Sequence, residues 1–372
     1  MLAAQRTCAE SDANPDTRPL PPPGQLRARL PVSTAQAAQL ASHRQALADV
    51  LEGRDRHRLI VVVGPCSIHS REEALAYGRR LAPVARAVRE HCLVVMRTYF
   101  EKPRSTLGWK GLLSDPHLDG VGDLASGIPL CREILLETTE LGLPCASELL
   151  DVMAAPYLSD LLSWAAIGAR TSASQPHREL VSGLTMPVGF KNGIEGDVES
   201  AVGAVASARS PHHALAIGEH GEARAIHTRG NRLAHLVLRG GTRGPNHDAT
   251  SVAQATEAGR KLGLARPVVV DCSHGNSAKD YTRQSDVCQE VLSQVRGGQQ
   301  GIAGVMLESH LAPGRQPFEP GRSDQSELRP GVSITDACIG FDESERILDE
   351  IASAAASLRR MAGAMKRAPS AE

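Results

Sequence analysis

A chain of 372 residues is long enough for one large domain or two average ones, so its length leaves the number of domains open. A formal net charge of −1 and an aromatic content of 3% disfavour a general polyanion surface and base stacking, and with them a nucleic-acid partner. No apolar run reaches membrane-spanning length, and the N-terminus lacks the pattern of a secretion signal. We therefore expect a cytoplasmic protein without a nucleic-acid or membrane partner.

Residues 1–55 precede the repeating part of the chain. Residues 1–30 are rich in proline and alternate small with charged residues, which predicts an extended arm. Apolar residues then recur at helical spacing from Ser33 to Glu52, with a Ser-Thr pair available as N-cap and Gly53 as a stop. This pattern predicts one N-terminal helix after the arm.

Residues 56–365 contain eight short apolar runs, nearly all separated by segments with helical spacing. Alternating strands and helices predict a parallel sheet, and eight such units predict an α/β fold of the (β/α)8 TIM-barrel type. An open doubly wound sheet is the alternative. The predicted strands are Leu59–Val63, Leu93–Met96, Pro144–Leu149, Trp164–Ala169, Met186–Phe190, Ala234–Leu238, Pro267–Val270 and Ile302–Leu307.

Every one of these runs ends in a polar residue, which favours the barrel, because only a closed barrel lets eight strand ends converge on one mouth. These residues are Cys66, Arg97, Glu148, Arg170, Lys191, Arg239, His274 and Glu308.

Two further segments complete the domain plan. Between residues 211 and 235, alternating apolar residues surround a Gly-Glu-His-Gly sequence, which predicts a β-hairpin inserted before the sixth barrel strand. From Glu343 to Met361, Ile, Leu and Ala recur at helical spacing and predict the last barrel helix. We expect residues 366–372 to be disordered.

The segment MRTYFEKPRSTLGWKG, from Met96 to Gly111, places several cations directly after a buried strand. Loops at strand ends carry the substrate groups of α/β folds, and a guanidinium beside hydroxyl groups is suited to phosphate. A solvated basic turn is the alternative. The candidate binding residues here are Arg97, Lys102, Arg104, Ser105 and Thr106.

Four potential metal ligands stand where a barrel would bring them together. A thiolate, an imidazole and two carboxylates are compatible with one divalent metal, Mn²⁺, Fe²⁺, Co²⁺ or Zn²⁺. Each residue alone has an ordinary explanation in packing or rim hydrogen bonding, but the set predicts a metal site. Its members are Cys66 in GPCSIH, His274 in VVVDCSHGNS, Glu308 in GVMLESH and Asp336 in SITDACIG.

These motifs resemble those of type I 3-deoxy-D-arabino-heptulosonate 7-phosphate (DAHP) synthases, from about Asp55 to the end of the barrel. The resemblance implies a metal-dependent condensation of phosphoenolpyruvate (PEP) with D-erythrose 4-phosphate and water, which yields DAHP and phosphate in the first step of the shikimate pathway. It also implies that the four candidate ligands hold the metal. Related synthases that use arabinose 5-phosphate carry Lys-Ala-Asn-Arg in place of Lys-Pro-Arg, so Pro103 favours the four-carbon aldose.

The same resemblance implies roles for single residues. The implied anchors of the PEP phosphate are Arg170, Lys191 and Arg239, and those of its carboxylate side are Arg97 and Lys102. The implied anchors of the aldose phosphate are Arg104, Ser105 and Thr106. The implied catalytic residues are Lys102, which protonates the new alkoxide, Glu148, which orients water, and His274, which combines metal binding with proton transfer.

Regulation and assembly are likewise implied by the resemblance alone. Members of this class are often inhibited by an aromatic amino acid bound between the subunits of a homodimer or homotetramer. The N-terminal arm and the region of Asp151 and Thr185 would form that site. Two alternatives stay open: a non-catalytic, ligand-sensing or partner-binding barrel of the same family, and a related PEP–aldose synthase.

Overall fold

The computed structural model describes residues 19–365 of the chain, with side chains described through residue 356. Within this range, eight parallel strands form the barrel and two antiparallel strands form a hairpin. The barrel strands are β1 (Leu59–Gly64), β2 (Cys92–Arg97), β3 (Cys145–Glu148), β4 (Trp164–Ile167), β5 (Val188–Lys191), β8 (Ala234–Leu238), β9 (Val268–Asp271) and β10 (Ile302–Glu308). The hairpin strands are β6 (His213–Ile217) and β7 (Ala223–His227).

The barrel closes through parallel pairing of β1 with both β2 and β10, so the predicted TIM barrel is confirmed and the open doubly wound sheet is wrong. The described helices are α1 (Pro23–Arg29), α2 (Thr34–Leu51), α3 (Arg71–Ala87), α4 (Leu124–Glu140), α5 (Ala155–Leu158), α6 (Gln175–Gly183), α7 (Glu199–Ala208), α8 (Ala249–Lys261), α9 (Gln284–Arg296) and α10 (Phe341–Met365). None of them is both long and apolar enough to cross a membrane.

The strands are apolar along their whole length because both of their faces are buried. In β1, Ile60 and Val62 pack in a cluster inside the barrel, whereas Val61 and Val63 pack in a cluster shared with the surrounding helices. This alternation is the period of two that a strand imposes on its side chains. Because the strands are almost wholly apolar, all eight predicted strands match the observed ones to within two residues at each end.

Helix α2 closes the barrel at the end opposite the mouth. Its Leu47, Val50 and Leu51 belong to the interior cluster, and the Leu51 carbonyl accepts the Arg266 N–H just before β9. The helix starts as predicted, with Ser33 as N-cap: Ser33 Oγ accepts the Gln36 N–H at 3.2 Å, and Gln36 Oε1 accepts the Ser33 N–H at 2.9 Å. This capping box satisfies two backbone donors that a helix end would otherwise leave free.

The prediction of an extended arm is wrong for Pro23–Arg29, which forms α1. Proline is favourable at the first position of a helix, where its missing N–H is not needed, so the proline-rich sequence here starts a helix. The rest of the predicted arm up to residue 18, and the predicted disordered tail at residues 366–372, lie outside the described residues.

The predicted hairpin is confirmed between α7 and β8, with His213 paired opposite His227. Its tip contacts α1: the Gly24 N–H donates to the Glu219 carbonyl at 2.8 Å, and Arg27 forms an ion pair with Glu219. The N-terminal segment and the hairpin therefore form one surface on the side of the barrel.

Candidate active site

The carboxyl ends of the barrel strands surround a cavity of about 560 Å³, here called the mouth cavity. The sequence-predicted residues that line it are Arg97, Lys102, Pro103, Arg104, Ser105, Thr106, Glu148, Arg170, Lys191, Arg239, His274, Glu308 and Asp336. Cys66 is fully buried and meets this group through its contacts with Lys102 and Asp336. The structure thus brings together every predicted catalytic, substrate and metal residue.

Three of the four candidate metal ligands form a close cluster. The Sγ atom of Cys66 and a carboxylate oxygen from each of Glu308 and Asp336 lie within 4.8 Å of one another. The fourth, His274, borders the cluster, with its Nε2 atom 3.7 Å from Glu308 Oε1. One sulfur, one nitrogen and two carboxylates fit a divalent transition metal better than Mg²⁺ or Ca²⁺, which prefer oxygen ligands alone.

A buried ammonium group stands among these ligands. Lys102 Nζ lies 2.9 Å from Cys66 Sγ and 3.2 Å from Asp336 Oδ2. Lys102 holds the pKa of Asp336 well below its usual range, whereas burial raises the pKa of the Cys66 thiol to about 12. The thiol therefore keeps its proton at neutral pH, and a metal ion would have to displace that proton to bind the sulfur.

Asp271, which sequence reasoning missed, orients His274. His274 Nδ1 lies 2.9 Å from Asp271 Oδ2 and forms a hydrogen bond with Ser273 Oγ at 3.0 Å, which leaves Nε2 facing Glu308. Asp271 also pairs with Lys191, at 3.2 Å. Burial alone would raise the pKa of Asp271, but His274 and Lys191 hold it well below its usual range. The sequence could have identified Asp271, because this carboxylate ends a strand three residues before His274.

The cations of the mouth cavity fall into two groups. Arg97, Lys102 and Lys191 are buried and paired, with Glu308 at 3.0 Å, Asp336 at 3.2 Å and Asp271 at 3.2 Å respectively. The other group has no carboxylate partner among the described residues, and its members are Arg104, Arg170, Arg239 and Lys279. Guanidinium groups that face a cavity without a counter-ion favour an anionic ligand.

The loop of Arg104 and the loop of Arg170 meet across the mouth cavity. Both the Nε and the Nη2 atoms of Arg170 donate to Ser105 Oγ, at 3.1 and 3.0 Å, and Arg104 Nε donates to the Trp109 carbonyl at 2.7 Å. The Ser105 hydroxyl is thus held by the Arg170 guanidinium, whereas the sequence pattern predicted it beside Arg104.

Three asparagines that sequence reasoning missed position Arg239. Asn192 Oδ1 accepts a hydrogen bond from the backbone N–H of Arg239 at 2.8 Å and another from Asn246 Nδ2 at 3.1 Å. Asn276 Oδ1 accepts the Asn246 N–H at 2.8 Å. Gly240, with φ +68°, passes so close to Asn276 that a Cβ atom would lie 2.5 Å from its backbone nitrogen. No local pattern identifies such contacts, since they join three separate loops.

Glu148 presents a carboxylate to the mouth cavity. It is buried, and its Oε1 atom has no hydrogen-bond partner among the described residues. The absence of a side chain at Gly168 makes room for it, because a Cβ atom there would lie 2.3 Å from that oxygen. A buried carboxylate with a free oxygen can orient a water molecule.

The two residues predicted for effector binding lie away from the mouth cavity. Thr185 lines a separate cavity of about 650 Å³ together with hairpin residues such as Ile226 and Thr228. Asp151 does not line that cavity. Among the described residues, only Thr185 of these two therefore lies beside the hairpin.

Comparison with known proteins agrees with this geometry. Residues 30–349 match the model of the DAHP synthetase I family. The chain belongs to this family. It is 47% identical to the Tyr-sensitive phospho-2-dehydro-3-deoxyheptonate aldolase of Escherichia coli strain K12, over 90% of this chain and 93% of that relative. It is 44% identical to the Phe-sensitive aldolase of the same organism, over 92% of this chain and 97% of that relative.

A solved structure within the DAHP synthetase I family has the same fold. The phospho-2-dehydro-3-deoxyheptonate aldolase of Francisella tularensis SCHU S4 aligns with a TM-score of 0.89 and 39% identity, covering 93% of this chain and 99% of that one.

The contact between Asp271 and His274 generates a prediction. In Asp271→Asn the negative partner of His274 Nδ1 is lost, and we expect the affinity for a divalent metal to fall about 10- to 100-fold, as for other residues that orient a ligand histidine. Metal titration of the chelator-treated protein measures this affinity. Asp342→Asn, which changes a carboxylate that is 92% exposed on α10, serves as the control. Equal affinities for both variants would contradict the assigned role of Asp271.

Proposed function

We propose that the chain condenses PEP with D-erythrose 4-phosphate and water to give DAHP and inorganic phosphate. One observation carries this proposal: three unpaired guanidinium groups and a cluster of metal-type ligands face the same cavity. Two phosphate groups and a carboxylate bring about five negative charges into the mouth cavity, since the second phosphate pKa is near ~6. The unpaired arginines supply the charge that such substrates need.

In this proposal the two phosphates bind on different sides of the mouth cavity. Arg170, Lys191 and Arg239 bind the phosphate of PEP, and Arg97 and Lys102 bind its carboxylate side. Arg104, Ser105 and Thr106 bind the phosphate of the aldose. The contact between Arg170 and Ser105 supports this arrangement because it places the two anion sites next to each other.

The metal site completes the proposal. Cys66, His274, Glu308 and Asp336 would hold one divalent ion of Mn, Fe, Co or Zn, which as a Lewis acid would polarise the aldehyde oxygen. Arg97 holds Glu308 in place through their buried ion pair. Asp271 and Ser273 hold the His274 ring, since Ser273 Oγ lies 3.0 Å from Nδ1 and donates to Glu308 Oε2 at 2.9 Å.

The chain's own residues then handle the protons. C3 of PEP attacks the aldehyde carbon, and Lys102 Nζ is placed beside the ligand cluster to give a proton to the alkoxide that forms. The Oε1 atom of Glu148 orients the water that adds to C2, after which phosphate leaves. His274 has Nδ1 hydrogen-bonded to Ser273 beside the Asp271 carboxylate and Nε2 facing Glu308, so we assign it metal binding and leave proton transfer to Lys102.

The residues of the Lys102–Arg104 loop provide a test of these roles. Lys102→Ala should mainly lower kcat, because Lys102 gives the proton, and Arg104→Ala should mainly raise the KM for erythrose 4-phosphate, because Arg104 only binds it. Lys110→Ala, an exposed lysine of the same segment, is the control and should change neither constant. Steady-state phosphate release at varied aldose concentration measures both effects.

Arabinose 5-phosphate should be a poor substrate in the same assay. A preference for it would overturn the assignment of the four-carbon aldose, and equal kinetic effects of the Lys102 and Arg104 changes would overturn the division of roles between them.

We further propose that an aromatic amino acid inhibits the enzyme. The similar relatives named Tyr-sensitive and Phe-sensitive are 47% and 44% identical, values too close to choose the effector. The cavity beside Thr185 and the contact of α1 with the hairpin support a site that includes the N-terminal segment. A homodimer or homotetramer, a contribution of Asp151 to this site and a cytoplasmic location stay predictions from the sequence.

Removal of residues 1–30 tests this regulation. At least one of Phe, Tyr and Trp should inhibit the full chain, and the deletion should relieve the inhibition without loss of turnover. Inhibition curves for the three amino acids, recorded with both proteins, measure the effect. Unchanged inhibition after the deletion would exclude the arm from the site, and resistance of the full chain to all three would refute the regulation itself.

A further inference from the structure

A second group of potential metal ligands lies outside the mouth cavity. Glu73 Oε2 lies 3.3 Å from His69 Nε2 and 3.6 Å from His310 Nε2. One ligand atom from each of the three residues lies within 4.8 Å of the others, and none of the three lines the mouth cavity. Sequence reasoning did not single out any of them, since 237 positions separate Glu73 from His310.

Hydrogen bonding accounts for only part of this arrangement, since the backbone of Gly331 bonds to the Glu73 carboxyl group and to His310 but leaves one carboxylate oxygen without a partner. Glu73 Oε2 is buried and accepts no hydrogen bond from the described residues, although two imidazole nitrogens stand nearby. Tetrahedral zinc with bonds of about 2.0–2.1 Å to nitrogen and oxygen separates its ligand atoms by roughly 3.3 Å. The two separations from Glu73 Oε2 are close to that value, and the two histidines bring their ligand atoms within 4.8 Å of each other, so one ion can reach all three side chains.

The charge of the cluster also favours a bound cation. Among the described residues, no lysine or arginine pairs with Glu73, and its nearest basic neighbours are the two histidines. Burial raises the pKa of Glu73, the direction expected for a carboxylate without a cationic partner. Burial also lowers the pKa of His69 to about 4, so this ring is neutral at pH 7 and can offer a lone pair. A cation would compensate the carboxylate where the neutral ring does not.

One contact opposes binding at His310. The Leu311 N–H donates to His310 Nδ1 at 2.8 Å, which places the proton of the neutral ring on Nε2. A metal at Nε2 must displace this proton to Nδ1, and the Leu311 amide then loses its acceptor. His69 and Glu73 therefore form the stronger part of the site, and His310 completes it at the expense of its hydrogen bonds with Leu311 and with the Gly331 backbone.

We propose that His69, Glu73 and His310 bind a divalent transition-metal ion of the zinc class, with water as a fourth ligand. Two imidazoles and one carboxylate are an established ligand set for zinc. The ion would join three segments: the loop after β1, the first turn of α3 and the loop after β10. Because Cys66 precedes His69 by three residues and Glu308 precedes His310 by two, the ion fixes the backbone beside two residues of the mouth cluster.

Cobalt distinguishes this second site from the cluster at the mouth. The full chain, stripped with a chelator, is titrated with Co²⁺ alone, and bound metal is counted by elemental analysis while absorbance is recorded. We expect two equivalents. A thiolate-to-cobalt charge-transfer band reports the cluster that contains Cys66, whereas a site with only nitrogen and oxygen ligands gives ligand-field bands without it. Binding is read without substrates, so the result does not depend on the proposed reaction.

The variants separate the two sites. Glu73→Gln and His69→Asn should each lose one equivalent and keep the thiolate band, and Cys66→Ser should lose the band and keep one equivalent. Glu72→Gln, a change at the exposed neighbouring glutamate, is the matched control and should keep two.

Two outcomes overturn the proposal. The first is a single equivalent in the unaltered chain that shows the thiolate band, since that metal is then at the cluster of Cys66. The second is a second equivalent that survives both Glu73→Gln and His69→Asn, which would place it elsewhere, for example at the stacked pair of His213 and His227 on the hairpin, whose ring centroids are 4.5 Å apart.

Discussion

Four charged side chains at the mouth of the barrel lie where little water can reach them, so each of these buried charges needs an opposite charge beside it. Arg97 meets Glu308, and Lys191 meets Asp271, in pairs whose members are all at least nine-tenths buried. Removal of one partner from such a pair typically costs about 3–5 kcal/mol, because the other charge is left buried and alone. The pairs therefore fix where the cations of β2 and β5 point.

The same constraint explains why the unpaired cations are elsewhere. Arg104 and Arg170 are exposed and Arg239 is half-buried, so water can solvate them in the absence of a ligand. Burial lowers the pKa of Arg239, which shows that its charged form is less well solvated there than in water. An incoming phosphate improves the surroundings of these three side chains, whereas Arg97 and Lys191 would share their charge between a substrate anion and the carboxylate already beside them. Paired cations thus give the mouth cavity its shape, and the unpaired arginines add to its affinity for anions.

Much of this arrangement follows from local sequence. A strand buried on both faces is almost wholly apolar, so its boundaries are visible, and the first polar residue after it must lie at the mouth if the barrel is closed. That reasoning placed Arg97 and Lys191 at strand ends before any contact was known. It could not supply partners. In the sequence, only its position near His274 distinguishes Asp271 from other carboxylates at strand ends. Its role follows from the backbone of His274, which has a φ of +55° and brings the ring within 2.9 Å of the Asp271 carboxylate.

Contacts between segments that are distant in the chain could not be predicted either, because local sequence does not show which loops meet. The asparagines around Arg239 and the group of His69, Glu73 and His310 depend on how loops from different units meet. The prediction for the N-terminal arm was wrong because proline is compatible with two local structures. It is common in extended segments, but it is equally favourable at the start of a helix such as α1.

The central claim is that metal-type ligands and unpaired arginines at one mouth catalyse the condensation of PEP with erythrose 4-phosphate. The most direct test is the release of inorganic phosphate from PEP by the full chain, with and without the aldose, before and after treatment with a chelator. The account predicts release only when both substrates are present, loss of release after chelation, and recovery when Mn²⁺, Co²⁺ or Fe²⁺ is added. Full activity in protein shown by elemental analysis to be metal-free would contradict it.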